Sequence, residues 1–234
     1  GMEYFKQCRI IEREVSLKIP LPRHEGRPIP PPQRAVPVVA AEQYTMHLSN
    51  LTPGDMGQGS EGDVVIKLLP ENAPMGVTRF MELIKASFFD NAKFFRVGEN
   101  FVAQFGIAAD PNVHDQWRHK YMKDDPHGAI SNKVGTISFA TSGKNTRSSQ
   151  LFINLGDNTF LDTEGFEPVA EVISGMDVVR RIYHGYGLDE SGGVGDGSDG
   201  KGPKQGRLGN EGNAYLNQYF PKLSGIKTIT PNNS

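Results

Sequence analysis

Alternation of apolar and polar positions dominates the first half of the chain. Tyr44, Met46 and Leu48 alternate with polar residues, and Gly62-Asp63-Val64-Val65-Ile66-Lys67-Leu68 reads as a second strand. Short apolar runs between turn residues predict further strands over 94–97, 101–105, 136–140, 150–154 and 167–173. The period changes after Asn72-Ala73-Pro74, where Val77, Phe80, Met81 and Ile84 fall on one face of a helix. A second helix is expected from near Gly175, turning Met176, Val179 and Tyr183 inward, and a third over 210–220, with Tyr215, Leu216, Tyr219 and Phe220 one turn apart. Residues 226–229 add a terminal strand. Many short strands with two amphipathic helices predict a mainly β fold, a closed barrel capped by helices.

The ends and one internal stretch follow other rules. Val15, Leu17 and Ile19 alternate with Ser16 and Lys18, which predicts a short strand. Pro20, Pro22, Pro28, Pro30-Pro31-Pro32 and Pro37 follow; proline fixes φ and removes donors, so this stretch reads as an extended, semi-rigid linker or strap. Gly185 to Gly206 is rich in Gly, Asp and Ser and reads as a loop. The expected organisation is an arm over 1–35, a barrel over 36–184, the Gly/Asp-rich loop over 185–206, and a C-terminal helix and tail over 207–234 packing on the barrel.

Composition narrows the function classes. The 234 residues are 37% hydrophobic, enough for one well-cored domain with additions. With 25 basic and 27 acidic side chains the formal charge is −2, so no strong field draws nucleic acid or an anionic membrane. No apolar run approaches the roughly 18 residues of a membrane span. Cys8 is the one cysteine, so no disulfide forms within a chain. The opening Gly1-Met2 resembles a tag scar, so the expected location is either cytoplasmic or a lumen reached with a targeting segment since removed.

Several motif matches fail on context. Gly195-Asp196-Gly197-Ser198-Asp199-Gly200 fits G-x-G-x-x-G, yet it follows no strand and its aspartates repel phosphate. His114, His119 and His127 match no metal-ligand spacing, and the acidic loop fits no full calcium pattern, so no metal or other cofactor is expected. Ser148 and Ser149 lie in no nucleophile signature. More informative are Phe94-Phe95-Arg96-Val97, leading into Phe101-Val102-Ala103-Gln104-Phe105-Gly106, and Ser149-Gln150-Leu151-Phe152-Ile153-Asn154. Alternation places Val102 and Gln104 on one face of their strand, and Gln150 and Phe152 likewise on one face of theirs. If those strands are neighbours, one arginine and two glutamines share a surface with apolar side chains, a groove suited to an uncharged, greasy substrate.

These stretches, with Gly135-Thr136-Ile137-Ser138-Phe139-Ala140 and Asn145-Thr146, resemble the cyclophilins, the peptidyl-prolyl cis-trans isomerases, from about Gly62 to about Tyr183. Trp117-Arg118, Lys123-Asp124-Asp125-Pro126 and the segment Gly206-Arg207 through Leu216 are similar to a bacterial-and-algal-style subgroup. The resemblance implies an eight-stranded antiparallel barrel with a helix over each end. It implies that Arg96, Phe101 and Gln104 form the catalytic centre. Val102, Phe152, Leu161 and Phe166 would complete the wall of a proline pocket, and Ala140, Thr141, Ser142 and Gln150 would hold the chain before the proline. The implied partners are proline-containing peptides and unfolded protein segments. Phe95 replaces a histidine usual in the family, and Phe160 replaces a tryptophan; losing the indole N–H argues against tight cyclosporin binding. Two other readings stay open: a cyclophilin-like module that binds proline peptides without turnover, and terminal extensions that serve docking or oligomerisation.

Overall fold

A computed structural model of the chain describes residues 42–54, 59–188 and 201–232. The expected strand at Val15–Ile19, the proline-rich stretch and most of the Gly/Asp-rich loop lie outside the described residues.

Eight strands form one sheet: β1 Gln43–Ser49, β2 Gly62–Leu68, β3 Arg96–Val97, β4 Val102–Phe105, β5 Thr136–Phe139, β6 Leu151–Asn154, β7 Pro168–Ser174 and β8 Gly225–Pro231. Their order is β3-β4-β6-β5-β7-β2-β1-β8, and every pairing is antiparallel. The closed barrel expected from the sequence is instead a curled sheet with two edge strands, β3 and β8. Among the described residues, those edges are joined by a bridge between Lys93 and Gly225, with Phe94 N donating to Ser224 O (3.0 Å), Ile226 N to Ala92 O (2.8 Å) and Asn91 N to Lys227 O (3.4 Å).

Burial explains the patterns. Along β1 buried residues alternate with half-buried ones, as on a strand with one core face. In β4, β5 and β6 every residue is buried. Ala103, Phe105, Ile137, Phe139, Leu151 and Ile153 turn into the core, while the intervening Gln104, Ser138 and Asn154 are buried on the other face. Inside the curl, rings pack in series: Phe80 tilted against Phe89, then Phe89 to Phe105 and Phe105 to Phe94 edge to face, with centroids 5.6, 5.6 and 5.3 Å apart.

Helix α1, Pro74–Lys85, starts where the sequence places it and buries Val77, Phe80 and Leu83, with Met81 and Ile84 half-buried. Its Ala73 cap offers no side chain. Asp125, distant in sequence, accepts from Met75 N (2.7 Å) and Gly76 N (2.9 Å) in its place. That carboxylate also takes a hydrogen bond from Nη1 of the buried Arg147 at 2.9 Å. Helix α2, Pro111–Trp117, was not expected, although Asp110-Pro111 is a cap-and-first-turn signal and Asp110 Oδ1 accepts from Asn112 N at 2.8 Å. Helix α3, Met176–Val179, is a single turn, so Tyr183 lies beyond it. The expected helix over 210–220 is two helices, α4 Gln205–Glu211 and α5 Asn213–Tyr219. They break at Gly212, whose φ is +60° and where a Cβ would come 2.3 Å from Ala109 O, so only glycine fits. Phe95, Ile107, Tyr186, Leu208, Tyr215 and Phe220 belong to a second apolar cluster, which α4 and α5 help to form.

Candidate active site

β3 and β4 are joined by a tight turn in which Gly98 N donates to Val102 O (2.9 Å) and Phe101 N to Gly98 O (3.1 Å). Asn100 takes the left-handed conformation there, at φ +55°, which asparagine tolerates. The turn fixes the register. Arg96 faces Gln104, Gln104 faces Phe152 across the next pairing, and Phe152 faces Ser138. Residues directly opposite share a face, so these four form one row across β3, β4, β6 and β5. Val102 and Asn154 make the adjacent row.

The polar members are bonded in series. Arg96 Nη1 donates to Gln104 Oε1 at 3.1 Å, and Gln104 Nε2 donates to Gln150 Oε1 at 2.8 Å. Arg96 and Gln104 are each 8% exposed, a burial tolerable for such groups only when partnered. Arg96 Nε also donates to Leu188 O at 3.3 Å. Gly106 brings the strand ends close, with φ +101° and space for no Cβ, which would lie 2.3 Å from Ser149 O. Gln150 O accepts from Ala140 N at 2.9 Å. An arginine can only donate, so the order of the series is set: the amide oxygens of both glutamines are used internally, Gln104 Nε2 donates onward to Gln150, and the Gln150 amide nitrogen forms the donor end.

Apolar residues flank the row. Phe152 meets Phe166 edge to face at 5.7 Å, and Phe101 lies near-parallel to Phe160 at 6.3 Å, with Phe160 43% exposed. Val102, Leu161 and Phe166 are buried, and Phe166 N donates to Leu161 O at 3.4 Å. Ala140 and Thr141 are half-buried and Ser142 is exposed, in a turn where Ser142 N donates to Thr146 Oγ1 at 3.0 Å. The structure thus brings Arg96, Gln104, Gln150 and Phe152 together, with Ala140 tied on through Gln150. Thr141 and Ser142 follow Ala140 in the turn, and Phe101 pairs with Phe160.

Sequence reasoning missed Leu188, whose carbonyl meets Arg96 from a stretch read as loop. It also missed a polar group comprising Asn132, Asn154, Asn158 and Asp162. Burial alone would raise the Asp162 pKa. Hydrogen bonds from the Ser131 hydroxyl and from the Asn132 backbone and amide outweigh that and hold the carboxyl below its ordinary value. Thr136, Ser138 and Asn154, alternating with apolar residues on buried strands, were the available signal. The histidines lie apart in their contacts: His127 Nδ1 pairs with Glu167 Oε1 at 2.9 Å, while His119 stacks beside Tyr121.

The N–H donors of Arg96, Gln104 and Gln150 against aromatic walls, with the Ser138 hydroxyl turned to Asn132, suit an amide that carries acceptors and no N–H. The X–Pro peptide unit is that amide. The family model for cyclophilin type peptidyl-prolyl cis-trans isomerase/CLD matches residues 55–194. The chain belongs to the cyclophilin family. It is a peptidyl-prolyl cis-trans isomerase. It is 32% identical over 131 residues to peptidyl-prolyl cis-trans isomerase B of Escherichia coli, covering 53% of this chain and 79% of that one. It is also 32% identical over 126 residues to the peptidyl-prolyl cis-trans isomerase of Acinetobacter baylyi, covering 52% and 66%. A crystal structure of a Cryptosporidium parvum cyclophilin superposes with a TM-score of 0.54 at 16% identity, over 82% of this chain and 98% of that one, and shares the fold.

Proposed function

We propose that Arg96 lowers the barrier to X–Pro rotation by donating to the prolyl nitrogen. Lone-pair donation from that nitrogen into the carbonyl keeps the bond planar, with a barrier of about 18–20 kcal/mol. When the bond twists, the lone pair localises on nitrogen and becomes an acceptor. A guanidinium held beside it then stabilises the twisted state more than either planar isomer, as catalysis requires. Arginine suits this because it stays protonated. Gln104 orients Arg96 and, with Gln150, donates to the substrate backbone. Phe101, Val102, Phe152, Leu161 and Phe166 enclose the proline ring, and Ala140, Thr141 and Ser142 flank the residue before it. The substrates are proline-containing peptides and unfolded segments. Phe160 presents a ring without a donor, so cyclosporin binds weakly.

The observation that carries this reading is the series Arg96–Gln104–Gln150, bonded at 3.1 and 2.8 Å and sharing its row with Phe152. The test is cis–trans exchange of a short Ala-Pro peptide followed by NMR. Arg96→Ala removes one preorganised donor, about 3 kcal/mol of barrier, and should slow turnover on the order of a hundredfold. Undiminished catalysis by the variant would refute the assignment. A wild-type protein that binds the peptide without accelerating exchange would instead be a binding module.

A further inference from the structure

Behind the row of Phe152 lies a buried set of three asparagines. Asn132 and Asn154 are fully buried and Asn158 is 3% exposed. Their amides are bonded head to tail. Asn158 Nδ2 donates to Asn154 Oδ1 at 2.8 Å, and Asn154 Nδ2 donates to Asn132 Oδ1 at 3.2 Å. Each end of this series reaches a backbone carbonyl: Asn158 Nδ2 donates to Phe101 O at 2.8 Å, and Asn132 Nδ2 donates to Phe166 O at 2.6 Å. Thr136 Oγ1 accepts from Asn154 at 2.9 Å, and Ser138 Oγ donates to Asn132 Oδ1 at 2.8 Å.

The endpoints are what matter. Phe101 and Phe166 stand in different segments, one in the β3–β4 turn and the other just before β7. Neither residue lies within a regular strand; the Phe101 carbonyl accepts from Leu155 N at 2.9 Å, just past the end of β6, and the Asn158 amide gives that oxygen its second donor. Phe152 lies between them in the sheet, two residues before Asn154 on the same face. A buried amide is costly when unsatisfied and rigid when fully bonded, so apolar side chains would have sealed this face with less at stake.

We propose that Asn132, Asn154 and Asn158 are positioning residues that set the width of the proline pocket by tying the Phe101 carbonyl to the Phe166 carbonyl through one directional series of amide hydrogen bonds. This rests on the reading of Phe101, Phe152 and Phe166 as the pocket wall. The asparagines touch no substrate. They act through ring placement, so they govern how well the proline is held. The series Arg96–Gln104–Gln150 shares no member with them and governs the rotation step. Direction is part of the proposal: at Asn158 both bonds are donated, to Phe101 O and to Asn154 Oδ1.

The test measures kcat and KM for an Ala-Pro peptide by NMR exchange, with thermal melting alongside. Asn158→Ala should raise KM about tenfold, the worth of about one hydrogen bond, and leave kcat within about twofold. Asn158→Asp keeps the shape and removes the donor, placing a carboxylate against two acceptor oxygens, so its KM should rise further than that of the alanine variant. Thr136→Val, a milder change at the Asn154 contact, should raise KM about threefold and serves if the Asn158 variants do not fold. Phe152→Ala separates the two readings. If it leaves KM unchanged, the pocket assignment itself fails. If it raises KM while Asn158→Ala and Thr136→Val do not, the asparagines are structural and the proposal is overturned. Equal losses in kcat and KM tracking the melting temperature would overturn it too.

Discussion

Replacing Asp125 with alanine should cost this protein a large part of its stability, and the geometry says why. Its Oδ1 takes the Met75 N–H at 2.7 Å, and its Oδ2 takes both the Gly76 N–H and Arg147 Nη1, each at 2.9 Å. Arg147 is 1% exposed and the Asp125 carboxylate 0%. The loss of a helix cap is worth about 1 kcal/mol. Leaving a buried arginine without its carboxylate costs more, about 3–5 kcal/mol. The two do not simply add, because Arg147 keeps Lys123 O at 2.5 Å and lies 3.3 Å from Asp124 Oδ1. A net loss of about 3–5 kcal/mol is expected, against the roughly 5–15 kcal/mol that holds a typical domain together. Urea unfolding at pH 7 reads it directly, with the single Trp117, packed 6.2 Å from Phe88, as the fluorescent probe. Arg147→Met should cost less than Asp125→Ala, since the carboxylate left behind still accepts two backbone N–H groups. The double variant should lie closer to Arg147→Met than to the sum. A loss below about 1 kcal/mol for Asp125→Ala, at unchanged m, would show that the pair does not anchor α1.

Two further outcomes are expected. Burial first, and then the Arg118 charge, hold the His114 pKa below its ordinary 6.5; His119 adds to this and Asp115 opposes it. The unfolded chain therefore takes up this proton first as pH falls. The stability from neutral His114 is present above pH 6.5 and is lost between there and its lower folded pKa. His114→Leu should flatten the fall in melting temperature between pH 7 and pH 5.5, and parallel curves for variant and wild type would contradict this. Phe160→Trp restores an indole donor on the Phe101 stack and should tighten cyclosporin about fivefold to tenfold by calorimetry, the worth of about one hydrogen bond; an unchanged affinity would show that the indole is not the missing contact.

What could be read in advance divides by the range of the interaction. The alternation in β1 and β2 and the apolar face of α1 are local, and each appeared where its period lay. Arg96 and Gln104 were recognisable from a motif in one short stretch. The asparagine series was not, because its bonds depend on a register that sets Val102 opposite Asn154, and no local pattern prints a register. The break at Gly212 has the same origin: Tyr215, Leu216, Tyr219 and Phe220 fit one continuous helix, and the carbonyl of Ala109 that forbids it belongs to a distant segment. Asp125 capping α1 from far along the chain is a third instance. By contrast, Asp110-Pro111 did announce α2 and was overlooked.

The edges of the sheet bear on the clients such an enzyme handles. Unfolded chains are rich in unpaired backbone groups, and an open strand edge would recruit them indiscriminately and release them slowly. β3, the edge that carries Arg96, is only two residues long, and its Val97 N–H is already spent on Gly187 O at 3.3 Å. At β8, Ala92 O and Phe94 N bond to Ile226 N and Ser224 O across the Lys93–Gly225 bridge. A passing polypeptide finds little ladder to extend at β3, and the start of β8 is already bonded. The short β3 edge beside Arg96 therefore gives a peptide little backbone to pair with, and leaves the side-chain row as the main point of contact.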